Sequence, residues 1–176
     1  MARNRTAGPV RVALSVALMA ICAWIQIPMV IPVTMQTFAV LTISCLLGPK
    51  QGPLAVLVYL LLGLVGVPVF SGFQGGAAVL FSATGGYLLG FLFTAAVTGA
   101  LSSKPGWLIG SMVLGQAVCY LFGTLWFSFV YAGGTGFWAA LQLCVLPYLL
   151  PDALKITLAI PVIRRVRPLL AANLPQ

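Results

Sequence analysis

Between Arg11 and Arg164 the chain carries four charged side chains: Lys50, Lys104, Asp152 and Lys155. So long a stretch with so little charge cannot cover itself with a surface that water tolerates. Across all 176 residues, 6% are charged and 61% hydrophobic, whereas a soluble domain carries roughly 25% charged residues. Mean hydropathy is +1.12. The chain therefore reads as an all-α integral membrane protein.

Apolar runs and their breakers predict six transmembrane helices: about Val10 to Ile27, Thr37 to Leu47, Leu54 to Val67, Tyr87 to Leu101, Trp107 to Tyr131, and Leu149 to the cluster Arg164–Arg167. The second is short for a span. GPKQGP, Gly48 to Pro53, reads as a tight turn between the second and third. FWAALQLCV reads as a short surface helix. The apolar run after the basic N-terminus shows no clear small-residue cleavage site, so it reads as an uncleaved first span. The expected organisation is one membrane domain over 1–176: a basic N-terminus at 1–9, a six-helix bundle at 10–167 and a tail at 168–176.

Net charge is +8. With six spans, Arg3, Arg5, Arg11, Lys50, Lys104, Arg164, Arg165 and Arg167 all fall on one side, and the three opposite loops carry no charge. That partition is the positive-inside bias, which places both termini in the cytoplasm and removes any need to invoke nucleic acid. Trp24, Trp126 and Trp138 fall near the outer face and Trp107 near the inner one, as interfacial belts do. Cys22, Cys45, Cys119 and Cys144 are far apart, with no CxxC pair and no histidine. They read as free buried thiols, with no metal site and no disulfide framework.

Several chemistries are excluded. There is no GxxxxGK[ST] pattern, so no nucleotide cofactor is expected on this chain. One carboxylate and no histidine cannot assemble paired acid/base catalysis, so an enzyme is not expected. Two small-residue steps point to close helix contacts. Gly86 and Gly90 form GxxxG, and Ala13 and Ala17 form AxxxA, with Ala20 one turn on.

The feature that needs an explanation is the lone acid, Asp152, with Lys155 three positions later. Lys155 lies nine residues before Arg164, or roughly 14 Å along a helix and near mid-bilayer. Each charge at that depth costs about 2.5–3.5 kcal/mol on insertion scales. The i, i+3 spacing lets the two offset each other on one face, and Pro151 suits a first helical turn whose dipole favours Asp152. A purely structural pair is one reading. A ligand site facing a polar cleft is the other, because intramembrane ionisable groups are functional by default. FSGFQGG and VTMQT supply amides, hydroxyls and glycine on the same side.

The chain resembles the BioY family, the biotin-binding S components of energy-coupling-factor (ECF) vitamin transporters. The resemblance is carried by IPVTMQTFAV at Ile31–Val40, LLGPKQGPLAVLVYLLLGLVGVPVF at Leu46–Phe70, GGAAVLFSATGGYLLGF at Gly75–Phe91 and LPYLLPDALKITLA at Leu146–Ala159. The family's Pro-Thr-Gly-Gly-Tyr is Ala83-Thr84-Gly85-Gly86-Tyr87 here, and its Gly before Asp is Pro151. The resemblance implies a six-helix S-component fold in a bacterial cell (inner) membrane. It also implies biotin capture from outside, and partnership with a transmembrane T component and two ATP-binding cassette ATPases. Ala13 and Ala17 would meet the T component. A homo-oligomer stays open.

On that resemblance Asp152 is expected to accept from a ureido N–H of biotin, with Lys155 donating to the ureido oxygen. Gln74, beside Gly75, adds an amide contact. Gln36 and Thr34 contact or gate the ligand. Tyr87 and Phe73 pack on its rings. The rival placement puts Lys155 on the biotin carboxylate. Three other functions stay open: a proton- or cation-coupled transporter using Asp152, an S component for another heterocyclic vitamin, and an assembly subunit in which the pair only packs.

Overall fold

The computed structural model describes residues 3–29, 31–134 and 136–172. Among the described residues seven α-helices run in order: α1 Arg3–Trp24, α2 Gln36–Leu64, α3 Ala77–Leu80, α4 Gly85–Leu101, α5 Leu108–Trp126, α6 Phe137–Cys144 and α7 Leu149–Ala172. A two-stranded antiparallel ribbon, β1 Gln26–Ile27 and β2 Val33–Thr34, links α1 to α2, pairing Gln26 with Thr34 and Ile27 with Val33. The end of α5 continues as a π-helical turn, Phe127–Tyr131.

Four helical stretches are long and apolar enough to cross a membrane: Ala7–Trp24, Gln36–Leu64, Leu108–Tyr131 and Phe137–Leu170. Gly85–Leu101 is a shorter apolar helix. α2 is not one straight rod. Gly48 sits at φ 75°, ψ −168° inside it, a conformation that only glycine adopts readily. The predicted six-residue turn is thus a one-residue break. Pro49 can follow directly, because a first helical turn needs no N–H donor there. The two arms, 36–47 and 49–64, are roughly 18 Å and 24 Å long at 1.5 Å per residue.

The segment after α2, which contains FSGFQGG, holds a 3₁₀ turn, Ser71–Phe73, and the short α3. The surface helix predicted from FWAALQLCV is α6. The last span begins at Leu149 as expected but runs on to Ala172, carrying the arginine cluster inside the helix.

Helix faces follow the bilayer. On α7, Asp152, Lys155, Ala159 and Ile163 are buried, while Leu150, Leu154, Leu158 and Val162 are exposed at four-residue steps. That exposed stripe is apolar, as a helix face turned to lipid has to be. α4 and α5 approach closely through glycines. A Cβ on Gly90 would come within 3.1 Å of Phe122 Cβ, and one on Gly86 would meet the Trp126 side chain and the Phe122 carbonyl. The GxxxG step is therefore internal, as its spacing allows. Thr94 Oγ1 donates to the Gly115 carbonyl at 2.9 Å and Thr98 Oγ1 to the Ser111 carbonyl at 3.3 Å. Such bonds are worth about 0.6 kcal/mol each within a membrane. All four cysteines are free and buried.

The cations gather at one end. Arg11, Lys50 and Arg167 line one cavity, and Arg167 Nη2 donates to the Ser102 carbonyl, two residues before Lys104. The side chains of Arg3 and Arg5 lie outside the described residues.

Candidate ligand-binding site

Asp152 stands in the first turn of α7, directly after Pro151. Lys155 Nζ donates to Asp152 Oδ1 at 2.7 Å, and both side chains are 8% exposed. Three further donors reach the carboxylate. Thr37 Oγ1, from the first turn of α2, donates to Oδ1 at 3.2 Å. Gln116 Nε2 donates to Oδ2 at 2.8 Å, and the Tyr120 hydroxyl donates to the same oxygen. Gln116 and Tyr120 are one turn apart on α5 and share a face. A carboxylate offers about four lone-pair sites, so all are engaged. This accounts for a lone acid in an apolar chain. A buried ion pair survives where geometry is close and the remaining lone pairs are hydrogen-bonded.

Two polar groups are left over. Lys155 Nζ also donates to Thr37 Oγ1 at 3.1 Å. An ammonium has three donors, so one is without a partner among the described residues. Gln116 Oε1 is buried and accepts no hydrogen bond among the described residues. A free donor and a free acceptor thus flank the saturated carboxylate.

These groups line a cavity of about 50 Å³. Its apolar lining includes Tyr87, Leu88 and Phe91 from α4, Phe70, and Ile31 to Val33 of the ribbon segment. The ribbon is held down twice. The Tyr148 hydroxyl donates to the Ile31 carbonyl. Thr34 Oγ1 donates to Gln36 Oε1 at 2.9 Å, Gln36 Nε2 to the Tyr59 hydroxyl at 2.7 Å, and that hydroxyl to the Val69 carbonyl at 2.8 Å.

A family model described as "BioY family" matches residues 2–172. The chain belongs to the BioY family. A relative from Pyrococcus horikoshii, described as a probable biotin transporter BioY, is 38% identical over 157 residues, 89% of this chain and 93% of its own. The biotin transporter BioY of Thermotoga maritima is 44% identical over 117 residues, 64% of this chain and 69% of its own. A crystal structure of the S-component for biotin from an ECF-type ABC transporter superposes with a TM-score of 0.86 at 26% identity, covering 96% of this chain and 94% of that one. The chain has the S-component fold.

In this BioY chain, five of the residues predicted from sequence meet at one cavity: Thr34, Gln36, Tyr87, Asp152 and Lys155. Gln36 faces it with its amide already committed to Thr34 and Tyr59. Gln74, Phe73 and Gly75 do not line it. Phe73 takes φ 58° and stacks on Trp24 at 4.8 Å between ring centroids. Gly75 is pressed against the carbonyls of Gly66 and Val67, and Gln74 is exposed. Ala13 and Ala17 are exposed on α1, whereas Ala20 is buried. Sequence reasoning passed over Thr37, Gln116, Tyr120 and Tyr148. One signal was present: Gln116 and Tyr120 are large hydrogen-bonding residues at i, i+4 inside a predominantly apolar span.

Proposed function

We propose that this chain is the biotin-capturing S component of an ECF transporter, a multi-pass protein with six spans, the two arms of α2 counted separately. The observation that carries this reading is the unpaired donor on Lys155 beside the unpaired acceptor on Gln116. A ureido group presents N–H and C=O side by side and would meet both. Lys155 donates to the ureido oxygen and Gln116 Oε1 accepts from a ureido N–H. Asp152 is a positioning residue that fixes Lys155, Gln116 and Tyr120 at once, in place of the direct ureido contact expected from sequence. Tyr87 and Phe91 pack on the ring system.

Pockets for small ligands run to about 300–1,000 Å³, against about 50 Å³ here. Biotin therefore enters by displacement of the ribbon segment, with the Tyr148–Ile31 bond released. Thr34 and Gln36, at the base of that segment, act in gating.

Ligand titrations of the purified chain, followed by thermal unfolding in detergent, test this reading. Biotin is expected to raise the unfolding temperature, since a ligand bound only by the folded state stabilises it. Biotin methyl ester, which keeps the ureido ring, is expected to retain most of that shift. Lipoate, which has a similar carboxylate tail and no ureido group, is expected to give none. Equal shifts from biotin and lipoate, with none from the ester, would put Lys155 on the carboxylate instead.

The chain has no P-loop pattern, so the energy for uptake comes from ATPase subunits reached through a T component. The exposed Ala13–Ala17 face of α1 is the surface for that contact. Ala17→Trp is expected to leave biotin binding intact and to abolish co-purification with the T component. Undiminished co-purification would move the interface elsewhere.

A further inference from the structure

A second cavity lies at the end of the bundle that carries the cations. It is open to the surface, has a volume of about 450 Å³ and is lined by Arg11 of α1, Lys50 of α2 and Arg167 of α7, together with Leu46, Leu47 and Leu170. We propose that it is a headgroup site for an anionic phospholipid: the three cations hold the phosphodiester and the leucines receive the start of the acyl chains. This inference does not depend on the biotin reading.

Positive-inside topology explains why cations stand at helix ends. It does not explain why three, from three helices distant in sequence, converge on one cavity, since like charges brought together repel. An anion placed among them relieves that repulsion, and the chain has no acidic side chain to supply it. Its one acidic side chain, Asp152, is held by Lys155. Lys155 itself stands twelve residues before Arg167 on the same helix, roughly 18 Å away. An anion that fills this role comes from outside the chain.

Arg167 is already oriented, its Nη2 donating to the Ser102 carbonyl at 2.9 Å. A guanidinium has five donors in a rigid fork, so the others remain for a phosphate oxygen. Leu46, Leu47 and Leu170 are half-buried, which suits a ligand with an apolar part and gives a soluble phosphate nothing to gain. Basic pockets between transmembrane helices take anionic headgroups for this reason. Arg164 and Arg165, on the same helix, are exposed and do not line the cavity. They serve as an internal control for charge alone.

The test uses the purified full chain in mixed micelles. It compares retention of dioleoylphosphatidylglycerol with that of dioleoylphosphatidylcholine by native mass spectrometry, with sn-glycerol 1-phosphate as the soluble arm. Phosphatidylglycerol is expected to be retained in preference. Arg11→Gln and Lys50→Gln are each expected to weaken that retention about fivefold, and Arg164→Gln/Arg165→Gln to leave it unchanged. Lys50 is exposed and makes no side-chain hydrogen bond among the described residues, so Lys50→Gln carries the test if Arg11→Gln does not fold. Equal retention of the two lipids overturns the proposal. So does a loss as large in the Arg164/Arg165 variant, which would mean diffuse surface charge. Displacement of the lipid by millimolar glycerol phosphate also overturns it, because the site would then take a soluble anion.

Discussion

Asp152→Asn is expected to weaken biotin binding by at least about 100-fold and to lower the unfolding temperature. The carboxylate accepts from Lys155, Thr37, Gln116 and Tyr120. Asparagine keeps the shape, removes the charge and turns one acceptor into an NH₂ group that faces donors. Lys155 is then left buried without its counter-ion. Breaking a buried pair from one side costs about 3–5 kcal/mol of stability; about 2.8 kcal/mol of that felt at Lys155 and Gln116, the two groups Asp152 positions, is a 100-fold loss in binding.

A loss of binding alone would not separate a binding role from a merely structural one. The pairing of Asp152→Asn with Lys155→Met does. Replacing both partners of a buried ion pair by hydrophobic residues of similar volume is often neutral for stability, and Lys155→Met removes the uncompensated ammonium that Asp152→Asn leaves behind. The double variant is therefore expected to regain much of the unfolding temperature and none of the biotin affinity. Affinity restored along with stability would mean that the pair only packs.

How much of this could be read from the sequence follows from where the information lies. The all-α membrane-protein character, the cation-bearing end and the start of α7 were legible, because hydropathy, charge and a proline in a first turn are local signals. Asp152 and Lys155 were legible for the same reason: three residues apart, each is the other's evidence. The rest of the site is not local. Thr37 and Gln116 reach Asp152 from positions 115 and 36 residues away in sequence, and no pattern within α2 or α5 states that they converge. Phe73 shows the converse. An aromatic in a polar loop suggested a ring contact, and it makes one, with Trp24 rather than at the cavity. GPKQGP contained enough glycine and proline for a turn. Whether a proline starts a helix or ends one depends on its neighbours, and here Gly48 alone absorbs the bend.

Gly86→Ala is the second large effect, and it is expected to act on both fold and site. A Cβ there would collide with Trp126 Cβ and lie 2.7 Å from the Phe122 carbonyl oxygen and 2.8 Å from Trp126 Cγ. One of these neighbours is backbone, so a rotamer change cannot relieve the crowding and α4 must move away from α5. Overpacking of this kind costs about 1–3 kcal/mol. For a chain of this length the unfolding temperature should fall by roughly 2–12 °C. Trp126 is also anchored, its Nε1 donating to the Ser82 carbonyl at 3.1 Å. A shift there pulls on the segment that leads into α4. The next residue is Tyr87, which lines the cavity, is wedged against Gly123 and donates to the Cys144 carbonyl at 2.7 Å. Biotin affinity should fall about tenfold with the stability, since 1.4 kcal/mol transmitted to the site suffices. Gly90→Ala, whose Cβ would meet Phe122 Cβ at 3.1 Å, is expected to give a smaller loss. Gly136→Ala, which has open space around it, is expected to give none. The ordering matters more than any single value. Equal behaviour of the three variants would mean that α4 and α5 are not held in glycine-mediated contact, and that Tyr87 owes its place to something other than the approach of those two helices.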